Sequence, residues 1–235
     1  MKNRLFTPLS RAVPLFAALL LLTVAGSASF TAAAAQDTAI ATRVQFLHAG
    51  TDLNQVEVHL NGEGVLDKFA YGDVSDWVTL DPGTVQLTIT RDRAGFNYVI
   101  FDGVYPVPAG NDYYVVITGD LVMAGAFDTS AAVADASRVQ VTHASVDTPA
   151  VNIVATGEAV ELATDIGFGR TSDSAPLPAG TFDLEVTLAD TGEALITVPD
   201  VTIESGKSYE FVLVGTPGDD DHPLDVVVLE TELTA

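Results

Sequence analysis

The chain has 235 residues, 48% of them hydrophobic, and sets 10 basic side chains against 32 acidic ones for a formal net charge of −22. This balance excludes nucleic acid as a partner, because phosphate binding draws on clustered Lys and Arg. It does not describe a disordered chain, since disorder pairs high charge with low hydrophobicity. The absence of cysteine excludes disulfide stapling and a cysteine-linked lipid anchor.

At the N-terminus Lys2, Arg4 and Arg11 flank an apolar run from Val13 to Ala25, and small residues follow as far as Ala35. This is the layout of a secretory signal peptide over residues 1–35, cleaved near Ala35. The run is too short to cross a hydrocarbon core, which needs roughly 20 helical residues. The expected mature chain keeps seven basic and all 32 acidic residues, a net −25. Salt or divalent cations would relieve the self-repulsion of such a surface, so a saline or cation-bearing extracellular setting is expected. No apolar tail closes the sequence, so neither a wall anchor nor a membrane span is expected in the mature chain.

The stretch from Arg43 to Gly62, RVQFLHAGTDLNQVEVHLNG, returns as RVQVTHASVDTPAVNIVATG from Arg138 to Gly157, with eight of twenty positions identical and no gap. The phase continues: Gly72 matches Gly169, Ser75 matches Ser172, Gly83 matches Gly180 and Gly95 matches Gly192. The chain is an internal duplication, with modules at 36–128 and 138–235 and a short Ala/Ser/Asp-rich linker over 129–137.

Each module alternates runs rich in Val, Ile, Thr, Phe and Tyr with Gly, Pro, Asp and Asn, the strand-and-turn signature of an all-β sandwich or barrel. Strands are expected near 43–48, 55–60, 64–70, 75–80, 84–91, 97–102, 112–118 and 121–127. In the second module they are expected near 138–143, 150–155, 159–163, 172–177, 181–188, 194–198, 200–204, 208–214 and 224–230. Gly83 and Gly180 each follow a Pro-containing turn and open a strand, where a positive φ costs glycine nothing. Tyr113 and Tyr209 enter matching penultimate strands, like the tyrosine of a sandwich corner whose ring packs inward while its hydroxyl bonds backbone.

The segment His143-Ala144-Ser145-Val146-Asp147-Thr148-Pro149-Ala150-Val151 resembles the DUF4397 family, whose pattern is close to H-A-S-P-D-A-P-A-V-D-V. The second module departs at Val146, Thr148 and Asn152. The first departs further, keeping His48, Ala49, Asp52, Val56 and Gly62. The resemblance covers essentially the whole expected mature chain and implies tandem Ig-like antiparallel β-sandwich modules in a secreted or surface protein. It carries no established activity.

His48 with Asp52, and His143 with Asp147, set a histidine and a carboxylate four residues apart at a strand end. One of each per module is too few for zinc, which takes three or four protein ligands. The expected role is structural, the aspartate tying its turn to backbone amides and the histidine hydrogen-bonded at the strand end. Asp219, Asp220 and Asp221 are candidate oxygen ligands for Ca²⁺, although they lack the spaced pattern of a calcium loop. A solvated acidic turn is the plainer reading. No other cofactor is implied.

Trp77 alternates away from Val78 and Leu80, and its counterpart is Ser174, which sets it outside the core common to both modules. It can stack a sugar or pack against the neighbouring module or a loop. No catalytic motif of a metallohydrolase, serine hydrolase or nucleotide binder is present, and no enzyme is expected. The leading expectation is a secreted surface, matrix or adhesion module acting through protein contacts on sheet edges and loops. The alternative is a carbohydrate-binding module using Trp77 with Tyr71, Tyr98 or Tyr105. The partner is therefore an unidentified protein or a cell-surface polysaccharide.

Overall fold

A computed structural model describes residues 41–233 apart from 94, 120, 131–135 and 158. The signal-peptide reading and the centre of the expected linker lie outside the described residues. The first module contains β1 Thr42–His48, β2 Gln55–Leu60, β3 Glu63–Ala70, β4 Val78–Leu80, β5 Gly83–Arg93, β6 Phe96–Val107, β7 Asp112–Ile117 and β8 Val122–Ala126. The second repeats the order as β9 Ala136–His143, β10 Val151–Ala155, β11 Val160–Ile166, β12 Ala175–Pro178, β13 Gly180–Leu188, β14 Ala194–Ile203, β15 Lys207–Val214 and β16 Asp225–Glu232. The described residues contain no helix, and so none that is long and apolar enough to cross a membrane.

Each module is a sandwich of two four-stranded sheets. In the first, β4-β1-β7-β8 faces β3-β2-β5-β6; in the second, β12-β9-β15-β16 faces β11-β10-β13-β14. Pairing is antiparallel except between the first and penultimate strands, β1 with β7 and β9 with β15, which run parallel. The fold class is thus all-β, as two tandem Ig-like sandwiches.

Strand alternation then decides what each sheet covers. Val44, Phe46, Val115 and Ile117 point into the first sandwich, and Val139, Val141, Phe211 and Leu213 into the second. The intervening side chains point the other way, and many of these are apolar too, with Gln45, Gln140, Thr142 and Glu210 among the exceptions. Leu47, Val116, Met123 and Phe127 of the first module share a buried cluster with Ala144, Val212, Val214 and Leu229 of the second. The sheets β4-β1-β7-β8 and β12-β9-β15-β16 therefore pack back to back, and the two modules form four layers over three hydrophobic cores. Their central strands are buried on both faces, which is why TyrTyrValValIle over 113–117 and PheValLeuVal over 211–214 read as unbroken apolar runs rather than alternating ones.

Two local expectations need correction. The runs at 194–198 and 200–204 are one strand, β14, bent at Asp200, where φ is +57° and the amide donates to Asp183 Oδ1 at 3.0 Å. The bend accompanies a register shift against β13 between Phe182 and Leu184, a bulge that turns the strand without ending it. Gly83 has the positive φ expected of it, +138°, but Gly180 does not. At Gly180 an added Cβ would instead meet the Phe182 ring at 3.2 Å, so a close approach favours glycine there.

Because Leu47 is wholly buried between the modules rather than within one of them, Leu47→Ala is expected to cost about 2–5 kcal/mol. Urea unfolding should stay a single transition, with a lowered midpoint for both modules. Two separated transitions would show that the seam does not couple them.

Candidate functional site

Polar groups at the seam between the modules are set by the same alternation. Asp112 and Tyr114 open β7 on the face turned towards the second module, and Glu210 holds the corresponding place on β15. Arg43, one register step from the start of β1, donates through Nε to Asp112 Oδ1 at 2.9 Å and through its second nitrogen to Asp112 Oδ2. The Thr231 hydroxyl, from β16 of the second module, also donates to Asp112 Oδ2. The guanidinium carbon lies 4.5 Å from the Trp77 ring centroid. A bidentate ion pair, an intermodule hydroxyl and a cation–π contact thus meet on one arginine.

Deeper in the seam, Glu210 is fully buried. Its carboxyl lies near the Tyr114 and Thr142 hydroxyls, and neither oxygen has a partner at full hydrogen-bonding geometry. Burial pushes this carboxyl up to about 8, against the opposing effect of those two hydroxyls. The Tyr114 phenol is raised in turn, first by its own burial and then by Glu210. Tyr114 also explains Gly125, its cross-strand partner on β8, because a Cβ at that position would collide with the phenol ring. The second module reverses the sizes, with Glu210 opposite Leu229.

The two halves of the His-Ala-x-x-Asp motif differ in burial. His48 and His143 are wholly buried at the ends of β1 and β9. His48 Nδ1 accepts from the Gly50 amide at 3.2 Å, and His143 Nε2 donates to the Pro149 carbonyl at 3.1 Å. Burial lowers both imidazoles below their ordinary value. Asp52 and Asp147 are exposed. The Asp52 carboxylate packs against Gly119, leaving no room for a side chain there, and does not bond the amides of its own turn as expected. In the second module Ser145 ties the turn instead, pairing with Thr148 Oγ1 at 2.5 Å and donating to the Gly215 carbonyl at 2.5 Å.

The tyrosines at the sandwich corners make matching contacts. Tyr113 donates its hydroxyl to the Pro108 carbonyl at 3.3 Å, and the Tyr209 hydroxyl accepts from the Glu204 amide at 2.9 Å, each five residues upstream. In the acidic loop, Asp219 Oδ1 accepts from the amides of Asp221 and His222 at 2.8 and 3.1 Å. Those bonds hold its carboxyl below the usual range. Among the described residues no three His, Asp or Glu side chains converge in a way that could hold a metal ion. His222 packs edge-on against Tyr71 of the first module, with centroids 4.6 Å apart.

Trp77 is half-buried against the seam cluster, 5.8 Å from the Phe127 ring, with Arg43 over its face. Tyr98 and Tyr105 stand elsewhere, on β6, where Phe96, Val99 and Val104 are also exposed. β6 pairs only with β5 and forms the edge of its sheet. Sequence reasoning missed Arg43, Asp112, Tyr114 and Glu210. The available signal was a lone acid, Glu210, within an otherwise apolar strand run.

A model for a domain of unknown function, DUF4397, matches residues 42–154 and again 137–235. The chain belongs to the DUF4397 family. No curated protein matches it. Among solved structures, this DUF4397 chain is similar to the Bacillus anthracis TIE protein at 12% identity, covering 83% of this chain and 44% of that one, with a TM-score of 0.24. It is also similar to a "putative cell adhesion protein" from Bacteroides fragilis NCTC 9343 at 7% identity, covering 83% and 98%, with a TM-score of 0.19. The DUF4397 chain thus spans less than half the length of the first of these.

The buried carboxyl of Glu210 gives a signed pH dependence. Its folded value of about 8 exceeds its ordinary 4.5, so the native state holds the proton that the unfolded state releases. Stability is lost as pH rises between those values, by about 1.4 kcal/mol per unit at most. Glu210→Gln should match wild type near pH 4 and exceed it in urea midpoint at pH 8. His48 and His143 act in the opposite sense, losing stability as pH falls below their ordinary 6.5, and cancel in the comparison. An equal gap at both pH values would show that Glu210 is not protonated in the fold.

Proposed function

We propose that this chain is a non-enzymatic secreted module of a surface, matrix or adhesion assembly, acting through protein contacts along β6. The observation that carries the reading is the state of that edge. Phe96, Val99 and Val104 are each more than 60% exposed and Tyr98 is 51% exposed. Residues 96–101, PheAsnTyrValIlePhe, hold neither charge nor proline. An edge strand presents unpaired backbone groups to any chain that can extend the sheet, and folded proteins usually blunt such edges with charge or proline. Here Asp102 and Pro106 blunt only the second half of the strand. The acidic surface elsewhere keeps copies apart through self-repulsion, so the apolar edge is available to a partner of different charge.

A second reading, glycan binding through aromatic side chains, draws on the exposure of Tyr98 and Tyr105 on the same strand. The Trp77 face is occupied by Arg43, which leaves the two tyrosines as the better platform for a sugar ring.

Retention of the purified protein on envelopes of the producing cell, and on insoluble polysaccharides, separates these readings. Val99→Lys with Val104→Lys should abolish envelope retention while changing stability by no more than about 0.5 kcal/mol each, as exposed positions allow. Retention that free sugar displaces and Tyr98→Ala removes would favour the glycan reading. Retention indifferent to all three changes would remove β6 as the contact surface.

A further inference from the structure

The interior of the first sandwich is incompletely filled. A cleft of about 270 Å³ enters between Tyr105 of β6 and Ala124 of β8, the edge strands of the two sheets, and reaches Val85, Leu87 and Val115. No charged side chain lines it.

The duplication supplies an internal comparison. β5 aligns with β13 and β7 with β15, so Val85 corresponds to Phe182 and Val115 to Phe211. Both phenyl rings are buried in the core of the second module, 6% and 0% exposed. At the edge, Ala124 pairs with Val115 where Val228 pairs with Phe211, and in the second module β14 and β16 draw into contact. The first module has the same framework without these two rings; Phe46, which lines the cleft beside Val115, stands where the second module has Val141 and offsets part of the missing bulk.

We infer that the first module binds an uncharged aromatic molecule of one or two rings in the cleft between β6 and β8, where Val85 and Val115 replace the phenyl rings of its copy. Three observations select this class. The walls are mostly aliphatic and aromatic, with tyrosine hydroxyls as their only side-chain polar groups, so they reward apolar contact far more than polar contact. A dry apolar cavity of about 150 Å³ takes up benzene, and this one is larger. The net charge of −22, with no cation in the lining, disfavours an anion.

Naphthalene is a suitable probe, titrated into the purified protein with methyl NMR as the readout. Saturable shifts are expected at the methyls of Val85, Leu87 and Val115, together with a raised unfolding midpoint, because a ligand that binds only the native state stabilises it. Val85→Phe and Val115→Phe install the residues of the second module, and each should weaken binding at least ~10-fold. Should Val115→Phe fail to fold, Val85→Phe and Ala124→Val, which narrows the mouth, carry the same test. A naphthalenesulfonate anion should bind more weakly than naphthalene. The inference is overturned by an absence of saturable shifts, by binding that survives the filling substitutions, or by an anion that binds as well as the neutral ring.

Discussion

Back-to-back packing of β4-β1-β7-β8 on β12-β9-β15-β16 is the constraint on which the remaining features depend. It buries most of β1, β7, β9 and β15 on both faces, so most side chains on those strands answer to one of two cores. Apolar residues meet that demand by the area they remove from water. Polar residues there need partners, since an unpaired buried polar group forfeits its hydration. Asp112 has Arg43 and Thr231; Glu210 remains under-satisfied and retains its proton near neutrality.

Duplication followed by face-to-face burial also explains where the modules diverged. On the seam, Tyr114 and Gly125 of one module correspond to Glu210 and Leu229 of the other, so large and small residues exchange strands across a shared layer. Close packing makes such changes come in pairs. Away from the seam the first module has Val85 and Val115 where its copy has Phe182 and Phe211, with Phe46 in turn replacing Val141, and its sandwich stands open between β6 and β8. The same strand carries the exposed apolar row. The surface reading of β6 and the cleft beneath it are therefore features of one side of one module.

The acidic surface and the strand ends that the two modules share set the remaining boundary conditions. Buried His48 and His143, each with one ring nitrogen engaged by nearby backbone, close the first strand of each module. Their motif partners Asp52 and Asp147 face solvent and add to the charge that the fold tolerates.

Much of the architecture was legible in the sequence because it rests on local rules. The all-β class follows from short β-branched runs punctuated by turn residues, and the tandem organisation from the recurrence of RVQ-x-x-HA-x-x-D at Arg43 and Arg138. The joining of 194–198 to 200–204 was not legible, because Pro199 and Asp200 read equally as a turn or a bulge until pairing with β13 decides. The candidate site was least legible. Arg43, Asp112, Tyr114 and Glu210 are far apart in the chain, and only sheet packing brings them to one seam. Periodicity shows that a strand has two faces and whether each is apolar. It does not say which other strand will cover them, because that depends on contacts between residues more than a hundred positions apart, and tertiary structure alone decides it.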